Sequence, residues 1–305
     1  MPGRILVSFF LAAAFLSAAP AQSAKRLGSA TYLSYNPKTG NPDLPQPLFY
    51  ELPDSTKFGP GPYPVFFWVP GTLELYLDPL SLLMVDQMAQ RGFLAVSVQY
   101  SDSSLLAQTC PDYTPRAQSI FDSTRSTSAV ATICALSQAA CANGVVASGI
   151  SQGGILAVLA ANYAPRVQAV YALSAGAYNG AGIGELACME KPNTAIPANR
   201  LTIINGAQDP AFGSQSSVES ATGITCPAGS TQCWSDDGSG AGWYLVQPGE
   251  TQSGTAGHCY IDIRGCNDHF DPNWLPPSVS DWSLAPNLDW LATLGTQRVF
   301  ASSGQ

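Results

Sequence analysis

The chain has 305 residues, of which 46% are hydrophobic and only 11% charged, enough apolar material for a large core and too much for a disordered chain. Its formal net charge of −8 argues against nucleic acid and anionic membrane surfaces as partners. Polar surface must come from Ser, Thr, Asn, Gln and Gly.

Arg4 precedes an apolar run, Ile5 to Leu16, and then the small residues Ser17-Ala18-Ala19-Pro20-Ala21. This is the pattern of a secretory signal peptide cut after Ala21, which leaves 22–305 as a single expected domain. The apolar run is short for a bilayer, and no later stretch is long and apolar enough to cross one, so no stable membrane anchor is expected. The expected location is extracellular, or periplasmic in a Gram-negative cell, and the expected state is a monomer. No Asn-x-Ser/Thr acceptor occurs in the sequence, which leaves N-glycosylation without support.

Tyr63 to Val69 (YPVFFWV) is a continuous apolar run bounded by Pro and Gly, as expected for a strand buried on both faces. Pro79 to Arg91 begins with Pro, carries periodic apolar residues and stops at Gly92, the start and stop signs of a helix. Gly92 to Tyr100 reads as a second strand. A polar loop is then expected as far as Ser119, followed by a helix over Ile120 to Ala140. Gly144 to Gly149 reads as a short strand and Gly153 to Tyr163 as a small-residue helix. Val167 to Ser174, Leu201 to Asn205 and Trp243 to Val246 complete a strand series with helical or looped crossovers. The alternation predicts one α/β unit, a doubly wound, mostly parallel sheet with helices on both faces.

Between the third strand and its helix stands Gly149-Ile150-Ser151-Gln152-Gly153, which fits G-x-S-x-G. In a chain this rich in Gly and Ser the pattern alone has little weight. Its place, after a buried strand and before a helix, is the one a nucleophile on a tight turn requires.

Eight cysteines in an exported chain point to disulfides. Cys134 and Cys141, Cys226 and Cys233, and Cys259 and Cys266 share one spacing, and their local bridging would leave Cys110 with Cys188. The count alone allows on the order of a hundred pairings. A zinc site is the competing reading, but no C-x-x-C pair is present and the chain has only two histidines.

From about Tyr63 to Leu294 the chain resembles the α/β-hydrolase superfamily. The resemblance implies a nucleophile, an acid and a His in that chain order, each on a loop at the carboxyl end of a strand. Ser151, Asp209 and His258 occupy that order. Asp209, in Asn205-Gly206-Ala207-Gln208-Asp209-Pro210, is similar to the family's acid loop, where a carboxylate orients the imidazole; a helix N-cap ahead of Pro210 is the structural alternative. A serine hydroxyl needs a base, and His258, in Ala256-Gly257-His258, resembles the family's His loop. The other histidine, His269, sits beside Asp268 and is expected to be partly exposed and satisfied by that carboxylate.

The resemblance also implies two backbone N–H donors for an oxyanion. One is Gln152, and the other comes from Val69-Pro70-Gly71-Thr72-Leu73, with Thr72 ahead of Leu73. Pro70 stands where the family often has a His, and a plain turn is the alternative. The implied activity is serine-dependent hydrolysis of a small-molecule or polymeric carboxylic ester, with no metal or organic cofactor. A polyester or cuticle depolymerase, a lipase, a peptidase or a non-catalytic hydrolase-like binding protein are the other readings. The segments Tyr178 to Asn199 and Ala211 to Gly242, the latter with Trp234, are expected to wall the site. Trp68, Trp274 and Trp282 read as core.

Overall fold

The computed structural model describes residues 25–102, 109–179, 184–266 and 268–301. The expected signal peptide, 1–21, lies outside these residues. In chain order the elements are β1 (Arg26–Asn36), β2 (Asn41–Leu52), α1 (Ser55–Phe58), β3 (Val65–Val69), α2 (Pro79–Ala89), β4 (Leu94–Val98), α3 (Cys110–Phe121), α4 (Ala129–Cys134), β5 (Val145–Ile150) and α5 (Gln152–Val158). They continue with β6 (Val167–Leu173), β7 (Tyr178–Asn179), β8 (Gly184–Glu185), β9 (Leu201–Gly206), α6 (Gln215–Thr222), β10 (Gln232–Trp234), β11 (Gly242–Val246) and α7 (Leu284–Ala301).

Among the described residues nine strands form one sheet in the order β1-β2-β4-β3-β5-β6-β9-β11-β10. The run from β4 to β11 is parallel, and the antiparallel strands β1, β2 and β10 close its two edges. Side chains alternate strictly across this sheet. Val65, Phe67 and Val69 join the core under α3, α4, α5 and α6, whereas Phe66 and Trp68 join the core under α2 and α7. Both faces are therefore covered, which is why the parallel strands read as mostly apolar, nearly continuous runs. Trp68, Trp274 and Trp282 are all buried in the second of these cores.

One expectation about the helices fails. The helix predicted over Ile120 to Ala140 does not exist as such: the polar stretch before it is α3, and the shorter α4 follows a break. The break comes from Asp122, whose side chain takes the Thr124 N–H and hydroxyl, and from Ser128, which caps α4 through the Ala131 N–H. Local side-chain bonds of this kind compete with a continuous helix. At the start of α3, Asp112 reaches back to accept the Thr109 N–H and hydroxyl, with Pro in the first turn, a start signal that outweighs the low hydrophobicity of CPDYTPRAQSIF.

All eight cysteines are paired: Cys134–Cys141, Cys226–Cys233, Cys259–Cys266 and Cys110–Cys188. These are the pairs that the shared spacing suggests, and they leave no thiols for a zinc site. Among the described residues no helix is long and apolar enough to cross a membrane.

Candidate active site

β5 ends at Ile150 and α5 begins at Gln152, so the chain must reverse direction at Ser151. That residue has φ 54° and ψ −124°, a setting that costs a non-Gly residue about 1–3 kcal/mol. Two glycines make room for it. A Cβ on Gly149 would lie 2.4 Å from the Gly153 carbonyl, and a Cβ on Gly153 would lie 2.0 Å from Val69 O and 2.3 Å from Pro70 O. The Ser151 N–H donates to Leu173 O at the end of β6, at 2.9 Å, which pins the turn to the neighbouring strand.

His258 Nε2 lies 2.9 Å from Ser151 Oγ, and His258 Nδ1 lies 2.8 Å from Asp209 Oδ2. The Asp209 side chain is fully buried, while that of His258 is 33% exposed. An ionised carboxylate only accepts hydrogen bonds, so Nδ1 carries the proton and Nε2 is left as the basic nitrogen facing the hydroxyl. Asp209 Oδ1 also takes the Ala211 N–H at 2.8 Å. Asp209 caps no helix, because α6 begins only at Gln215 with Ser214 as its N-cap.

The acid loop and the His loop are joined through backbone. Gln208 N–H donates to Ala256 O, and Ala256 N–H donates to the Gln208 side chain. A Cβ on Gly206 would lie 2.2 Å from Ala256 O and 2.3 Å from Gly257 O, so only glycine permits this approach. Ser174, buried at the end of β6 with φ 48°, donates its hydroxyl to His258 O at 2.6 Å. Buried Asn205 spends its amide on Ala175 N–H, Ala175 O and Phe212 O, and the Phe212 ring stands 6.1 Å from the imidazole.

Across the elbow lies the loop after β3. Its residues Gly71 to Glu74 form a turn closed by Glu74 N–H to Gly71 O, with Leu73 at φ 64°, the left-handed setting that the third residue of a type II turn adopts. The Gly71 N–H donates to Glu74 Oε2 and the Leu73 N–H to Asp102 Oδ2, both at 2.6 Å. Leu73 is therefore occupied. The Thr72 and Gln152 amides have no acceptor among the described residues. Tyr100 ties this loop to α5: its hydroxyl lies 3.0 Å from both Pro70 O and the Gln152 side-chain amide.

Burial is the main cause that pushes the Glu74 carboxyl up to about 7, reinforced by Asp78 and opposed by the Gly71 N–H and His258. The sequence reading did not single out Glu74, Asp102 or Ser174. For Glu74 a signal was present, since an acid three residues after an N–H that needs an acceptor repeats the logic of a capping box. For Ser174 none was.

His269 stands apart from this cluster, with Nδ1 2.7 Å from Asp268 Oδ1 and its side chain about half exposed. Asp262, Asp268 and His269 are close enough to suggest a metal site. Asp262 is not available for one, because its two oxygens already accept from the Arg264, Gly265, Asp268 and His269 amides. Burial pushes the Asp262 carboxyl up, but those four bonds outweigh it and hold the group below its ordinary value. Trp234 also departs from expectation. It pairs with Gly242, which pairs with Thr202 at the amino end of β9, whereas Asp209 follows the carboxyl end of that strand. Trp234 thus walls the opposite end of the sheet.

No protein-family model matches the sequence, and no curated protein matches it. Solved structures to which it is similar include a Klebsiella pneumoniae protein described as a dienelactone hydrolase, at 18% identity over 61% of this chain and 74% of that one, TM-score 0.39. Another is the acylaminoacyl peptidase of Pyrococcus horikoshii, at 15% identity over 65% of this chain and 34% of that one, TM-score 0.42. A third is brefeldin A esterase, a bacterial protein, at 17% identity over 53% of this chain and 43% of that one, TM-score 0.35. The chain thus spans between 34% and 74% of the length of these structures. Its own sheet order, with a parallel core between antiparallel edges, helices on both faces and a strand-turn-helix elbow at Ser151, is the α/β-hydrolase fold.

Proposed function

We propose that this chain is an exported serine hydrolase that cleaves carboxylic esters through Ser151, His258 and Asp209. The observation that carries the reading is the continuous relay from Ser151 Oγ through both imidazole nitrogens to a buried carboxylate, with the serine on a strained elbow. In the first half-reaction Ser151 Oγ bonds to the ester carbonyl carbon while its proton passes to His258 Nε2. The carbonyl oxygen becomes an oxyanion facing the Thr72 and Gln152 amides. Its collapse breaks the bond to the alcohol oxygen, which takes the proton from His258. A water molecule then repeats the sequence on the acyl-enzyme and releases the acid. Every proton moves between groups of this chain, substrate and the attacking water, so the scheme uses no cofactor.

The surface beside the site favours a neutral, apolar ester. Leu73, at the end of the candidate oxyanion loop, and Leu75 and Leu77 just after it are 66%, 55% and 44% exposed, an apolar surface of the kind that marks a binding face and that suits an apolar acyl or alcohol group. Export is supported by the leader pattern together with the four disulfides, which persist in oxidising compartments.

The test is hydrolysis of p-nitrophenyl acetate, butyrate and longer esters by the mature protein beside Ser151→Ala, with a fluorophosphonate probe and peptide anilides in parallel. Ester turnover and probe labelling that both vanish in the variant are expected. A folded wild type that neither turns over nor labels would overturn the reading and leave a binding protein on this scaffold. Cleavage of anilides in preference to esters would make it a peptidase.

A further inference from the structure

Three consecutive amides run along the turn after β3, and the outer two are held by carboxylates. Gly71 N–H is taken by Glu74, which reaches back across its own turn, and Leu73 N–H by Asp102, from the segment after β4. Thr72 N–H, between them, is left without an acceptor among the described residues. Glu74 is buried, and its carboxylate lies against the Gly71 backbone, where a Cβ on Gly71 would come within 3.2 Å of it. Such bonds to a charged acceptor are roughly twice as strong as neutral ones. They offset the left-handed strain at Leu73, a residue with no steric licence for that setting. The same turn is fixed to the nucleophile side, because Val69 O and Pro70 O rest on Gly153.

We propose that Glu74, with Asp102, is a positioning residue for ester hydrolysis: by fixing the amides on either side of Thr72 it leaves that N–H alone to receive the developing oxyanion. The proposal rests on the hydrolase reading above. In a turn not held at Gly71 and Leu73, the Gly71–Thr72 peptide unit, which carries the Thr72 N–H, is free to reorient, and a donor displaced by an ångström loses most of its value to the transition state. Neither carboxylate touches the substrate.

The groups that face Glu74 are Asp78 from the start of α2, His258 from the His loop and Tyr100 from the end of β4, beside which Asp102 also stands. Burial places the Glu74 titration near 7, within reach of direct observation. The Gly71 amide proton reports it, because the acceptor of that proton gains or loses its charge.

The experiment compares wild type, Glu74→Gln and Glu74→Ala in two measurements. Steady-state hydrolysis of p-nitrophenyl butyrate is expected to show kcat lowered at least tenfold in E74A, with KM changed less than threefold. E74Q, which keeps an acceptor for Gly71, recovers most of the loss. The amide spectrum of uniformly 15N-labelled protein, recorded from pH 5 to 8.5, is expected to show a Gly71 step near 7 in wild type that shrinks several-fold in E74Q. An E74A enzyme with wild-type kcat, or a Gly71 step that survives in E74Q, would overturn the proposal. If E74A does not fold, the E74Q comparison and the Gly71 titration still decide. A wild type without Ser151-dependent turnover would instead defeat the hydrolase reading, and the Gly71 titration would be seen regardless.

Discussion

Gly153→Ala adds one methyl group at the most crowded backbone contact of the site. Two effects of opposite sign compete. Alanine in the first turn of a helix is favoured over glycine by about 1 kcal/mol. Against this, the new Cβ would lie 2.0 Å from Val69 O, where real Cβ contacts do not fall below 3.0 Å, so one partner must yield by at least the 1.0 Å difference. Both atoms met first belong to backbone, and neither can rotate away as a side chain would. Overpacking of this kind costs about 1–3 kcal/mol, so the clash outweighs the helix gain and a net loss of roughly 0–2 kcal/mol remains.

The displaced partner is the strand end that carries Thr72, or the helix that carries the Gln152 amide. Either way the distance between the two candidate oxyanion donors changes by about an ångström. A misplacement of that size costs about a hundredfold in rate, or about 2.7 kcal/mol of transition-state stabilisation, more than the loss in folding stability. The assay is kcat and KM on p-nitrophenyl butyrate together with a thermal melt, with Gly249→Ala as the control, since a Cβ there meets nothing within 4 Å. The expected pattern is a melt lowered by a few degrees, kcat lowered about a hundredfold, and a silent control. A G153A enzyme with wild-type kcat and an unchanged melt would refute the claim that this contact sets the site.

Asp209→Asn should lower kcat by about 10³ to 10⁴-fold with little change in KM, because an amide presents a donor to His258 Nδ1 and favours the wrong tautomer; steady-state kinetics with a melt to confirm folding decides it. Replacing Cys110 and Cys188 by Ser opens a closure 78 residues long, whereas the Cys134–Cys141 closure spans 7. Loop entropy then gives losses of about 4–5 and about 2 kcal/mol respectively, and denaturant midpoints under non-reducing conditions should fall in that order. Glu74 carries a pH dependence of stability. Its folded value, about 7, lies above its ordinary 4.5, so between these values the folded chain binds more protons than the unfolded one and stability falls as pH rises, by up to about 3 kcal/mol. Denaturant unfolding of E74Q should lack that slope and should gain on wild type above pH 7; parallel slopes would count against the burial of this group.

Legibility in the sequence followed how local the determining contacts are. The parallel strands were readable because both sheet faces are covered, which buries Val65–Val69 and Leu94–Val98 at every position and leaves Ser97 as the one polar residue in the two. The hairpin of β1 and β2 was not. Pro42, Pro45 and Pro47 argue against a strand, yet they lie in the half of β2 that pairs with β1 and extends past the Leu48–Glu51 contact with β4, so their missing N–H groups interrupt no central ladder. The helix α3 was missed because its apolar content is low and its definition lies in the Thr109–Asp112 bonds. Its fate shows that capping chemistry can fix an element where hydrophobic periodicity is weak.

At the site the same distinction separates the relay residues from their supports. Ser151 and Asp209 stand in short motifs whose glycines have to be there: Gly149, Gly153 and Gly206 each admit another backbone within a distance that forbids a Cβ, and Gly206 is where the His258 loop is received. Backbone-on-backbone contact leaves a trace in the sequence, because only one residue type allows it. The supports act through side chains on amides from other segments, as Glu74 does on Gly71, Asp102 on Leu73 and Ser174 on His258, and many residue types could be imagined in those places. What distinguishes them is the partner, and for Asp102 and Ser174 the partner is far away in the chain. The sequence could place Thr72 ahead of Leu73 as candidate donor, but what occupies the Leu73 amide is Asp102, 29 residues beyond it, and only the folded chain brings the two together.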